Sequence, residues 1–119
     1  MNIHLLASAI TLFMTVSTNA QTVNGVPLKD LDTEYIQIIG ETKMLSDKIN
    51  LVVDYGQERK RLYSKPMMLM DADNREMEFN SMIDALNFMA RNGYELVESF
   101  GVNKEYPYSQ HLMRKRKKD

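Results

Sequence analysis

The segment from Phe79 to Phe100 constrains the fold most, because a helical periodicity and a strand abut in it without a linker. Ser81 stands at a natural N-cap, and Asp84 completes a capping-box-like pair with it. At 100° per residue, Phe79, Met82, Ile83, Leu86, Met89 and Ala90 fall within a stripe of roughly 120°, the signature of an amphipathic helix over about 81–92. Leu86 lies midway in the stripe and is expected to be its central core residue. Phe88 lies nearly opposite and is expected to be exposed, as a possible interaction residue. Asn92 and Gly93 end the helix, since glycine tolerates the left-handed conformation that closes one. Tyr94 to Phe100 then reads as a strand.

Upstream, Thr33 to Gly40 is rich in β-branched and aromatic residues and suits a strand. Lys48 to Tyr55 alternates, with Ile49, Leu51, Val53 and Tyr55 on one face and Lys48, Asn50, Val52 and Asp54 on the other, which predicts a half-buried strand. Gln57 to Arg61 reads as a solvated turn or edge. The apolar-bearing runs Met67–Met70 and Glu76–Phe79 flank Asp71–Arg75, whose Asp and Asn favour a tight turn, so a hairpin is expected. A loop over Gly101–Pro107 and a final strand from Tyr108 to Lys115 complete the domain. One helix among about five or six strands predicts an α+β fold: a mostly antiparallel sheet with the helix packed on one face.

The N-terminal residues are set aside from this domain. Leu5 to Val16 is an uncharged, mostly apolar run, shorter than the roughly 20 residues that a membrane span needs. Thr18 and Ala20 supply small residues before a cut after Ala20, so residues 1–20 read as a secretory signal peptide, although Met1 to His4 contains no Lys or Arg. The chain would be exported, to the periplasm or beyond, with no transmembrane segment in its mature part. Residues 21–32, with Gly25 and Pro27, are expected to be a flexible arm, 33–115 a single domain and 116–119 a basic tail. The chain has no cysteine, which excludes a lipoprotein anchor, disulfides, a thiol nucleophile and a Cys-based metal site. Its net charge of −1 gives no global argument for a nucleic-acid partner.

The run Gly93, Tyr94, Glu95, Leu96 and Val97, followed by Tyr108 and Leu112–Lys115, resembles a small bacterial family of unknown function. That family carries a Gly-Trp-Glu-Leu-Val signature and a basic final strand; here Tyr94 stands for the tryptophan. Asp54–Gln57 and Phe79–Met82 are similar to a longer, secreted branch of such proteins in gut bacteria. The resemblance implies a fold but no substrate, cofactor or catalytic residue.

No motif for catalysis emerges. His111 is the sole histidine after residue 20, and alone it reads as a strand-surface or partly buried side chain. Asp71–Glu76 resembles the opening of a calcium loop, but Arg75 and Met82 stand where ligands belong, which favours the hairpin turn. Glu95 and Glu98 should point to opposite faces of a regular strand, with Glu98 beside Tyr94, Leu96 and Phe100. The methionines between Met67 and Met82 read as core filling. Arg114, Lys115, Arg116, Lys117 and Lys118 are consecutive cations that read as a solvated tail protecting an edge strand, or else as an electrostatic contact site. These features favour a binding or interaction module, with Phe88 and the cations as candidate contacts. A protein or glycan partner or a homo-oligomer is expected, with no cofactor and no metal. An unrecognised hydrolase or carbohydrate-active enzyme remains the alternative. It would need a pocket joining Glu98, His111 or a tyrosine.

Overall fold

Among the described residues, the apolar alternation of the sequence resolves into two antiparallel sheets and one α-helix. The computed structural model describes residues 20–42, 45–58, 65–101 and 109–117. The expected signal peptide (Ala20 apart), the end of the polar turn at 59–61, the loop over 102–107, Tyr108 and Lys118 lie outside them. The strands are β1 (Thr22–Val23), β2 (Val26–Pro27), β3 (Tyr35–Thr42), β4 (Ile49–Asp54), β5 (Leu69–Met70), β6 (Tyr94–Phe100) and β7 (Gln110–Lys115). The helix α1 spans Met82–Arg91, between β5 and β6. One sheet has four strands in the order β4-β3-β7-β6, and the other has three in the order β2-β1-β5. This is the expected α+β class with antiparallel strands.

Register decides what each face of the larger sheet carries. Ile38 of β3 pairs with Val53 of β4 and with His111 of β7, and Ile36 pairs with Met113. Paired residues share a face, so Ile36, Ile38, Leu51, Val53, Met113 and Tyr94 form a continuous apolar surface. All are buried. The helix lies on this face and adds Ala85, Phe88 and Met89 to the core. Gly40, in the middle of β3, allows the close approach: a Cβ there would stand 3.0 Å from the Met82 sulfur.

The helix is capped as its sequence demands. Ser81 Oγ accepts from the Asp84 amide at 3.1 Å, and Asp84 Oδ2 accepts from the Asn80 amide at 2.9 Å. Gly93, at φ +90°, closes the other end. The buried face, however, is not the expected one. Ala85, Phe88 and Met89 are buried, Leu86 is only partly buried, and Ile83 is 66% exposed. The helix is turned by roughly 100° from the stripe read along the sequence. Phe79, counted in that stripe, stands before the N-cap and bridges to Ile49 as extended backbone, so it has no place on the helical wheel. It meets Phe88 instead, with ring centroids 5.4 Å apart and planes tilted by 57°. Phe88 is thus a core residue and not an exposed contact.

Residues 21–32 are likewise not a loose arm. Asn24 and Gly25, at φ 52° and 76°, make the tight turn between β1 and β2. β1 pairs in turn with β5. Val23, Leu28 and Leu31 are buried in the main core, which ties this segment to the domain. β4 also differs from a half-buried strand, because its other face is covered. Val52 packs with Ile39, Met67, Met68 and Met70 in a second apolar cluster, so these methionines fill a core. The hairpin around Asp71 forms as read: the Met77 amide donates to Leu69 O at 3.0 Å, and Met70 bridges Glu76.

Candidate functional site

The β6 strand departs from regular pairing at one place, and that irregularity shapes the exposed surface. Leu96 pairs with Met113 but Glu98 pairs with Leu112, so Val97 is the extra residue of a β-bulge. A bulge shifts all later residues by one position relative to the partner strand. Glu95 and Glu98 therefore share the outer face, whereas a regular strand would separate them. Phe100 follows them there, opposite Gln110, while Tyr94 and Leu96 stay on the inner face. The adjacent apolar pair Leu96 and Val97 is the sequence signal that could have marked the bulge.

The outer face near β6 and β7 is open. Tyr35 sits opposite Arg114, and Gln37 opposite Leu112. Arg114 donates to Glu95 Oε1 at 2.8 Å through Nη2 and 3.1 Å through Nε. That half-exposed pair is worth little in stability; Glu95 first, and the Tyr35 hydroxyl after it, raise the guanidinium pKa above its ordinary value. Tyr35, opposite Arg114, and Phe100, opposite Gln110 at the far end of the strand pair, both stand partly in solvent. β6 is the last strand of its sheet, and Leu96, Val97 and Phe100 are 49%, 46% and 44% exposed. The Arg116 amide donates to Gly93 O at 2.8 Å, which fixes the alternation of hydrogen bonding along β6. By that alternation Tyr94 and Leu96 turn their backbone groups outward, to the edge that no described strand pairs.

The cationic run is more than a solvated tail. Arg114 and Lys115 belong to β7. Lys115 Nζ donates to Leu31 O, and Arg116 Nη2 donates to Ala90 O at 2.9 Å, where a helix leaves carbonyls without partners. Lys117 is exposed. Three members of the run thus hold β7 to its neighbours.

His111 is buried and lies across from Ser99. Its Nδ1 is 2.7 Å from Ser99 Oγ and its Nε2 is 3.3 Å from Ser109 Oγ. Burial holds the imidazole pKa below the ordinary histidine value. A hydroxyl stands on each ring nitrogen, so the place of a carboxylate orienter in a nucleophilic triad is taken by serine. Glu98 lies on the other face of the sheet, so the two residues do not converge on one pocket. Tyr94 is fully buried and donates its hydroxyl to Leu28 O at 3.1 Å, and burial raises its pKa.

Asp71 Oδ1 accepts from the amides of Asp73 and Arg75 at 2.9 and 3.0 Å, which makes the carboxylate a turn-former. A cleft of about 610 Å³ beside it is lined by Lys65, Asp71, Arg75, Glu76 and Glu78. Among the described residues no group of His, Cys, Asp and Glu side chains is arranged to hold a metal ion, and no helix is long and apolar enough to cross a membrane. Comparison with family models, with curated proteins and with solved structures found no match.

Proposed function

We propose that this chain is an exported binding module, a member of the Gly-Trp-Glu-Leu-Val-type family, that holds an extended segment of a protein partner against β6. It acts without chemistry of its own. The observation that carries this reading is the β6 edge, where Leu96, Val97 and Phe100 stand nearly half exposed beside outward-turned backbone groups. An added strand would draw affinity from main-chain hydrogen bonds and selectivity from the side chains that alternate beside them. The bulge at Val97 breaks the regular ladder, which discourages indiscriminate edge pairing and restricts the edge to a short register. Leu96 and Val97 supply apolar contact. Glu98 and the Arg114–Glu95 pair supply a charged rim on the outer face. Localisation follows from the apolar run at Leu5–Val16 and the small residues before Gln21.

The test is an array of extended peptides probed with the wild-type protein and with Leu96→Pro. Proline at 96 removes an outward amide and leaves the inward ladder intact, a position where edge strands tolerate it. The reading expects peptide binding that is lost in Leu96→Pro while thermal unfolding stays cooperative. Binding that survives the substitution would refute the edge as the contact.

A further inference from the structure

The C-terminal end of α1 carries a second feature, independent of the β6 edge. A cleft of about 380 Å³ lies there, lined by Lys29, Asn92, Gly93, Lys115, Arg116 and Lys117. Among the described residues its charged lining is wholly cationic, on a chain whose net charge is −1. The cations come from two segments distant in sequence: Lys29 from the short 3-10 turn Leu28–Asp30, Lys115 from the last position of β7, and Arg116 and Lys117 from the residues just after it. Glu95, the carboxylate lining the adjoining cleft with Arg116 and Lys117, is already held by Arg114 at 2.8 Å.

A helix C-terminus ordinarily repels anions, because its free carbonyls concentrate negative charge. Here the Phe88, Met89 and Ala90 carbonyls have partners. Phe88 O accepts from the Asn92 amide and side chain, at 3.1 and 2.8 Å. Ala90 O accepts from the Gly93 amide at 3.2 Å and from Arg116 at 2.9 Å. The same bonds anchor the cations. Lys115 donates to Leu31 O and lies 3.5 Å from Lys29 O, so its ammonium is fixed at the cleft with a donor to spare. Arg116 engages Ala90 O and Tyr94 O through Nη2, which leaves donors of its fork for another acceptor. Gly93 has open space where a Cβ would project, so a ligand can approach the backbone at the cleft.

We propose that this cleft is an anion site that takes a phosphate-type group, either free or as the headgroup of a lipid. A phosphate monoester carries about −1.5 to −2 charges and several strong acceptor oxygens, which match two anchored donors and two exposed lysines. Lys29 and Lys117 are the residues to change, since both are exposed and no described hydrogen bond of the fold uses their side chains.

The test compares the wild-type protein with Lys29→Glu/Lys117→Glu and with Lys48→Glu/Arg75→Glu, which makes the same change of net charge elsewhere. Inorganic phosphate and pyrophosphate are titrated at low salt while amide resonances are followed. In parallel, cosedimentation is measured with phosphatidic acid/phosphatidylcholine vesicles, which present a phosphate monoester, and with phosphatidylcholine vesicles alone. The site predicts saturable shifts centred on Lys29, Gly93 and Lys117, weakened about tenfold or more in the site variant and little in the control. Saturable binding of the free anions assigns a free phosphate, and binding only to the anionic vesicles assigns a headgroup. Either supports the proposal. No binding to any probe, or equal weakening in both double variants, would overturn it.

Discussion

Replacing Phe88 by alanine tests the reoriented helix most sharply, because the sequence stripe and the structure predict opposite rankings. Phe88 is 8% exposed and its ring lies 5.4 Å from that of Phe79. Truncation of a buried phenylalanine costs about 3–5 kcal/mol, the transfer of the ring plus the cavity left behind. The slight exposure allows some relaxation, so about 3 kcal/mol is expected here. Leu86 only flanks the core, and a partly buried leucine loses roughly 1–1.5 kcal/mol of the 2–5 typical of full burial. Ile83 faces solvent, where alanine also has the better helix propensity, and the change should be within about 0.5 kcal/mol of neutral. Urea melts followed by far-UV circular dichroism would measure all three. With a slope of about 1.5 kcal/mol per molar, Phe88→Ala should lower the midpoint by about 2 M. A larger loss for Leu86→Ala than for Phe88→Ala would restore the stripe centred on Leu86 and refute the packing described.

The remaining predictions concern polar contacts. His111 has a folded pKa below its ordinary value, so the folded state binds fewer protons than the unfolded one as pH falls through about 6.5. Its contribution is present above that pH and is lost on acidification, and His111→Gln should flatten this part of the stability–pH curve. Tyr94 is shifted upward by burial, so stability should fall as pH rises through about 10, where the unfolded chain ionises first. Tyr94→Phe should abolish that alkaline loss at a cost of about 1–2 kcal/mol for the Leu28 carbonyl left without its donor. Removing residues 117–119 should leave the melting temperature nearly unchanged. Removing 114–119 should cost about 2–3 kcal/mol, because the Lys115 and Arg116 amides donate to Glu34 O and Gly93 O.

The strands were legible wherever apolar residues alternate: β3, β4, β6 and β7 coincide with such runs, and the Asp71 turn has the residues that its hydrogen bonds require. The helix was legible in extent but not in orientation. The wheel groups Ile83, Leu86 and Ala90 and sets Phe88 apart, whereas packing against Phe79, in the extended backbone before the cap, places Phe88 in the core and leaves Ile83 in solvent. The N-terminal segment hid its role because Val23, Leu28 and Leu31 are spaced by a hairpin and a 3-10 turn, so no single period connects them. Asn24-Gly25 was nonetheless a readable hairpin signal. The candidate contact surface was least visible. It depends on the bulge at Val97, on where β7 lies, and on which strand ends the sheet, all of which are set by long-range pairing.

Amide hydrogen exchange at β6, measured on the isolated protein across a range of concentrations, tests the open edge most directly. The account predicts that Leu96 exchanges rapidly at every concentration, while Glu95, bonded toward β7, and Ile38, inside the sheet, stay protected. Protection of Leu96 equal to that of Ile38 at all concentrations would mean that this edge is already covered within the chain, and would contradict the binding surface proposed here.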